Sequence, residues 1–128
     1  MNEKLYNINV LIRKANSDYV AAASLIGDDS ELHSDIIAFH CQQCIEKYLK
    51  AFLIYHDVDY PKTHNLELLL YLCLRADKDF EDFDLEDFSA FGVAVRYDDI
   101  TAGIDITQRA FEMAKTVMEY IKDRINLE

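Results

Sequence analysis

The 128-residue chain contains only three glycines and one proline, so few residues force a break in regular structure. This scarcity favours long helices joined by short loops. No stretch approaches the roughly 18 consecutive apolar residues that a membrane-spanning helix needs. The N-terminal stretch MNEKLYNINV is polar and mixed in charge, unlike a secretory signal. We therefore expect a cytoplasmic protein with no membrane association.

Positive charge is also scarce, because 13 lysines and arginines face 24 aspartates and glutamates, for a net charge of −11. Phosphate contacts need clustered Lys and Arg, so this balance argues against non-specific nucleic-acid binding by the whole surface. A local basic pocket, or RNA binding together with a basic partner, stays compatible with it.

The three cysteines are an odd number outside any loop-rich framework, which favours reduced thiols. Cys41 and Cys44 form a C-x-x-C, but no second pair lies at zinc-binding spacing, and Cys73 does not complete a set. Both fall on the apolar face of a predicted helix, which indicates packed thiols. We predict no metal site and no cofactor.

Helical periodicity is the dominant signal that is present. It predicts an all-α fold, an antiparallel up-and-down helical bundle of four main helices plus a shorter one, in a single domain over residues 1–128. The predicted helices run over about 3–26, from a Ser34 cap to about His56, from a Thr63 cap through Leu74, over about 85–96 and over about 105–125.

Three finer features accompany these helices. Gly27 is the expected C-terminal cap of the first helix. The seam of the last helix is predicted at Ala110, Met113, Val117 and Tyr120, widened by Ala114, Ile121 and Ile125. The acidic stretch from Asp77 to Asp87 is predicted to be a loop or frayed turn that leads into the fourth helix. It could bind a basic partner or a divalent cation, but a solvated segment is the commoner case.

One face of the second helix carries a polar stripe, defined as His40, Gln43, Lys47 and Lys50. Lys supplies charge, His a hydrogen-bond donor and Gln a two-sided hydrogen bond, which suits a phosphate, a nucleotide or another acidic group. The competing interpretation is a polar face that is solvated or satisfied by a neighbouring acidic helix. Both interpretations stay open.

The string IAFHCQQCIEKYLKAFLIYHDVDYPKTHNLELLL, from Ile37 to Leu70, resembles the HEPN domain (higher eukaryotes and prokaryotes nucleotide-binding). That family has a helix reading roughly A-x-F-x-x-Q-Q-A-x-E-K-x-L-K-A, followed by a loop with Pro and a K-T-H-x-L helix start. AVRYDD, from Ala94 to Asp99, is similar to the family's V-R-Y-P-D segment. The resemblance implies an all-α bundle that commonly dimerises and is often encoded beside a minimal nucleotidyltransferase.

Many members of that family are metal-independent ribonucleases, commonly toxins, with an Arg followed after four to six residues by a His. Arg96 matches the Arg, but the last histidine of the chain is His64, so the motif's His is missing. General acid–base cleavage needs a group that titrates near neutral pH. Arg96 with Tyr97 also suits a planar or phosphorylated ligand, and the alternative is a salt bridge from Arg96 to Glu46 or a nearby Asp.

These expectations favour a non-catalytic binding module that holds a nucleotide or RNA, works as a homodimer with a minimal nucleotidyltransferase and fits a toxin–antitoxin context. Its predicted ligand-binding residues are His40, Gln43, Lys47, Lys50, Arg96 and Tyr97. The first alternative is a divergent metal-independent endoribonuclease that uses Arg96 with His40 or His64. The second is a structural module whose polar stripe is a dimer seam.

Overall fold

The computed structural model describes residues 2–27, 33–85 and 104–126. These ranges contain four helices and no strand. The helices are α1 (Glu3–Leu25), α2 (Ser34–Tyr55), α3 (Leu66–Ala76) and α4 (Ile104–Arg124). The all-α bundle predicted from periodicity is confirmed. The predicted shorter helix at about 85–96 lies outside the described residues, apart from Leu85, which is buried and not helical.

α2 is the central helix, because it packs against α1, α3 and α4. Its apolar face forms the middle of the core, and the positions that the sequence predicts there are fully buried. These are Ile37, Cys41, Cys44, Tyr48 and Phe52. α1 and α2 run antiparallel, since Lys4 near the start of α1 reaches Asp57 just after α2, while Asp18 reaches His40 near the start of α2.

The ends of the helices show which local signals decide them. Gly27 follows α1 with a φ of +129°, a backbone conformation that favours glycine, so its predicted capping role is consistent with the structure. The predictions that Ser34 caps α2 and that Thr63 caps α3 were wrong. His33 precedes α2 and Ser34 is already helical, while Asn65 caps α3 by accepting a hydrogen bond from the Leu68 amide at 3.1 Å.

The seam of α4 is rotated from the predicted one. Its buried residues recur at spacings of three and four and are Thr107, Ala110, Ala114, Val117 and Ile121. Met113 and Tyr120 pack at the edge of the core. This seam lies on the helix that packs against α2.

The described part of the acidic stretch, residues 77–85, contains no helix, as predicted. It is nevertheless packed, because Phe80, Phe83 and Leu85 are buried in the core. The phenol of Tyr120 accepts a hydrogen bond from the Glu81 amide at 2.7 Å, which ties the segment to α4. No helix in the described ranges has both the length and the apolar character needed to cross a bilayer.

Candidate functional site

Two helices meet at a group of charged side chains that we call the Asp18 cluster, made of Asp18, His40 and Lys47. Asp18 Oδ1 lies 2.8 Å from His40 Nδ1, and its other oxygen, Oδ2, accepts a hydrogen bond from Lys47 Nζ. The side chains are partly exposed, at 13% for Asp18, 28% for His40 and 21% for Lys47. The group is therefore sheltered but still reachable from solvent.

The spacing of His40 and Lys47 explains why one carboxylate can hold both. Residues seven apart lie two turns away on the same side of a helix, so both side chains project toward α1. Asp18 enters between them from α1. A lysine ammonium has three hydrogen-bond donors, and Asp18 is its one hydrogen-bond partner among the described residues.

A hydrogen bond between two uncharged side chains also joins α2 to α1 beside the Asp18 cluster. The phenol of Tyr48 donates to Asn16 Oδ1. Tyr48 is fully buried, and burial raises the pKa of its phenol. The buried hydroxyl is thus satisfied by α1, and it fixes the relative position of the two helices beside the Asp18 cluster.

The second polar group, the Glu46 cluster, contains Glu46, Lys50, Tyr60 and His64. The Glu46 side chain is only 4% exposed, and its carboxylate accepts from Lys50 Nζ at 3.1 Å and from His64 Nδ1 at 3.0 Å. The Lys50 ammonium also lies 5.7 Å from the centre of the Tyr60 ring. Burial, and then the Glu46 carboxylate, raise the pKa of Tyr60. This cluster joins α2 to the loop before α3.

The polar stripe is therefore divided between two partners. His40 and Lys47 meet at Asp18, whereas Lys50 belongs to the Glu46 cluster. Gln43 is partly buried on the face that holds His40 and Lys47. Arg96 and Tyr97 lie outside the described residues, so their place in one cleft with the stripe stays a prediction. His64, a candidate catalytic residue, instead contacts Glu46.

The C-x-x-C cysteines are core residues. Cys41 and Cys44 have no exposed surface. Burial raises the pKa of each thiol to about 12. The nearby charge of Asp18 adds to the rise for Cys41, and that of Cys41 adds to the rise for Cys44. Burial raises the pKa of Cys73 to about 12 as well. A thiol held neutral is a poor metal ligand and a poor nucleophile. These positions agree with the packed-thiol interpretation.

Sequence reasoning missed Asp18. A signal was present, because Asp18 follows the seam residue Ala15 by three positions and precedes Ala22 by four. That spacing places a carboxylate beside the buried seam, where a cation on the next helix can meet it. The pairing of Glu46 with His64 was not predicted either, although both residues belong to the quoted motifs.

The fold and these contacts define an all-α bundle whose central helix is joined to the following loop through Glu46 and His64. The sequence model of the HEPN domain matches residues 8–125, nearly the whole chain, and the chain belongs to the HEPN domain family. The resemblance predicted from the sequence is confirmed. Comparisons with curated proteins and with solved structures found no match.

Proposed function

We propose that this chain is a HEPN binding module that holds a nucleotide-like or nucleic-acid ligand at the Asp18 cluster, with Gln43 and Arg96 completing the site. Tyr97 and Lys50 lie at its margin. In the same proposal the chain acts in the cytoplasm as a homodimer, beside a minimal nucleotidyltransferase and in a toxin–antitoxin context. These partners rest on family membership.

The observation that carries the proposal is the convergence of His40 and Lys47 on one carboxylate at a partly exposed position. A carboxylate that fixes two donors reduces the rotamer freedom that a ligand would otherwise have to remove on binding. Cys41 and Cys44, which are fully buried and close enough to Asp18 for its charge to raise their pKa, supply an apolar wall behind the cluster. A few converging polar groups over such a wall are the usual pattern of a small-molecule site.

Charge sets a requirement on this site. With a neutral imidazole, the Asp18 carboxylate and the Lys47 ammonium cancel, so the cluster alone carries no net charge. A phosphate would be held by the ammonium donors that Asp18 does not use, and by the guanidinium of Arg96. Arg96 is thus the residue that gives the proposed site its net positive charge.

Binding of fluorescent ATP and of a short fluorescent single-stranded RNA tests this proposal. We expect Lys47→Gln and Arg96→Ala each to weaken binding of at least one probe about tenfold or more, because each removes a charge-assisted hydrogen bond. Lys115→Gln, an exposed position on α4, is the matched control and should bind like the wild type. Unchanged binding by both site variants, or no binding by the wild type, contradicts the proposal.

A divergent metal-independent ribonuclease is the second candidate, and the Asp18–His40 contact of 2.8 Å favours it. A carboxylate on one imidazole nitrogen orients the other nitrogen for proton transfer, which is the task of a general base. This mechanism predicts RNA cleavage in the presence of chelator that is lost in both His40→Ala and Arg96→Ala. Cleavage that survives either change rules it out.

A further inference from the structure

A groove separates α3 from the acidic segment that follows it, and it shares no lining residue with the two clusters described above. One wall is a single face of α3, whose residues lie three, four and seven positions after the first. They are Glu67, Leu70, Tyr71 and Leu74. Residues 82–85 form the opposite wall, and the open cavity between the walls has a volume of about 430 Å³.

The second wall alternates between the core and the surface, as an extended chain does. Phe83 and Leu85 are buried at 8% and 1% exposure and close the bottom of the groove. Asp82 and Asp84 are exposed, and with Glu67 on the other wall they form what we call the acidic rim. The buried side chains hold this segment against the core, so the rim is presented on a fixed backbone.

The interior of the groove is apolar, in contrast to its rim. Leu74 is half-buried and Tyr71 is 52% exposed, so both offer apolar surface to a ligand. Among the residues that the structure describes, no lysine or arginine lines the groove and no carboxylate of the acidic rim forms an ion pair. Arg75, one turn beyond Tyr71, donates to the tyrosine hydroxyl at 3.1 Å instead. A ligand that matches this groove is therefore both cationic and apolar.

We propose that the groove binds a basic segment of a partner protein, in which one apolar side chain is flanked by lysines or arginines. The apolar side chain packs on Leu74 and Tyr71, and the flanking cations pair with the acidic rim, which is a complementary arrangement of charge. The apolar interior distinguishes the groove from a solvated acidic surface, and the charge of the rim repels nucleic acids and other polyanions. This inference is independent of the function proposed for the Asp18 cluster.

The geometry of an extended peptide gives the probe. Residues two positions apart point to the same side of such a chain. A leucine that enters the groove therefore has the side chains two positions before and after it directed toward the acidic rim. The peptide Lys-Ser-Leu-Ser-Lys places an ammonium at each of these positions, and capping of both its ends removes the terminal charges.

Titration of nitrogen-15-labelled protein with this peptide at low salt, followed by amide NMR, tests the proposal. We expect saturable shifts centred on α3 and residues 77–85. Asp82→Asn combined with Asp84→Asn should weaken binding about fivefold, since exposed ion pairs each contribute modestly. The matched control is Glu119→Gln combined with Asp123→Asn, which removes two exposed carboxylates of α4 and should bind like the wild type.

The same peptide with serine in place of leucine separates the apolar interior from the acidic rim. We expect it to bind about fivefold or more weakly, because the apolar contact is lost. The proposal is overturned if the wild type does not bind the leucine peptide, if it binds both peptides equally, or if the two double variants are weakened equally. The first two results use the wild type alone, so they do not depend on how the variants fold.

Discussion

Glu46 is the residue at which we expect the removal of a partner to reduce the stability of the fold most. Among the described residues it is the one charged side chain that is buried, at 3% exposure, and Lys50 and His64 both contact its carboxylate. Removing a partner from a buried charge costs far more than breaking an exposed ion pair, because the charge left behind stays out of water. The two partners differ greatly in burial, so their losses should differ as well.

We expect Lys50→Ala to lower the free energy of unfolding by about 2 kcal/mol, because it leaves the buried Glu46 carboxylate without its sheltered partner. His64→Ala should cost less than about 1 kcal/mol, since the His64 side chain is 71% exposed and water can replace it. Urea denaturation measures both, with Lys115→Ala as an exposed control. Equal losses in the two variants would contradict this ranking.

At the scale of single residues, the sequence predicted which polar residues share one face of α2 but not which side chains they contact. His40, Gln43, Lys47 and Lys50 follow from helical spacing alone. Their division between Asp18 and Glu46 depends on how far α1 and the loop before α3 approach α2, which is tertiary information. Lys50 therefore contacts Glu46, whereas His40 and Lys47 contact Asp18, and its role in ligand binding stays a prediction.

At the scale of an element, α2 carries three weak acids on its core face, Cys41, Cys44 and Tyr48, and burial raises the pKa of each. Above a pH of about 9, thiols of the unfolded chain lose their protons while the native chain keeps them. The stability that these groups contribute is therefore complete below that pH and is lost as the pH rises toward about 12.

We expect the free energy of unfolding, measured by urea denaturation, to fall as the pH rises above about 9, with a slope of up to about 1.4 kcal/mol per pH unit for each thiol. Reductant must be present throughout. A double variant, Cys41→Ala with Cys44→Ala, is less stable at neutral pH because it creates cavities. Its stability should nevertheless change less with pH, and a slope as steep as that of the wild type would show that other groups are responsible.

The segment 77–85 depends on one tyrosine of α4. The Tyr120 hydroxyl accepts from the Glu81 amide at 2.7 Å and donates to the Asp79 carbonyl at 3.3 Å. Its ring packs edge-on against Phe80 and Phe83, with centroids 5.1 and 5.2 Å away. The ring and the hydroxyl thus make separable contributions to holding the acidic segment in place.

Tyr120→Phe keeps the ring contacts and removes both hydrogen bonds. We expect a loss of about 1 kcal/mol in unfolding free energy and faster hydrogen exchange at the Glu81 amide. Tyr71→Phe on α3 is the matched control, because Tyr71 is 52% exposed and its hydroxyl accepts from Arg75, four residues later on the same helix. Unchanged exchange at Glu81 in Tyr120→Phe would mean that the phenylalanines alone hold the segment.

The positions of the helices were easier to predict than the residues that cap them. α1 and α2 were placed within about a residue of their observed limits, because long apolar periodicity dominates where glycine and proline are rare. Thr63 and Asn65 are both good N-caps, and spacing alone could not choose between them. In the structure Thr63 Oγ1 accepts from the Asn65 amide, which leaves the Asn65 side chain to cap α3.

For the whole molecule, the net charge of −11 acts on any association between copies. Two chains of like charge repel each other over a distance set by the Debye length, which falls from about 30 Å at 0.01 M salt to about 8 Å at 0.15 M. The proposed homodimer must overcome this repulsion with contacts at its interface. Salt therefore reports on what the interface is made of.

We expect dimerisation, measured by sedimentation equilibrium, to strengthen as salt rises from about 0.01 M to about 0.15 M, because screening weakens the long-range repulsion. The alternative in which the polar stripe forms the dimer seam predicts the opposite trend, since salt also weakens ion pairs across an interface. That alternative further requires Lys47→Glu to change the oligomeric state without affecting ligand binding. In the structure, however, Lys47 contacts Asp18 of its own chain, so Lys47→Glu would set two carboxylates against each other and should first reduce the stability of the monomer.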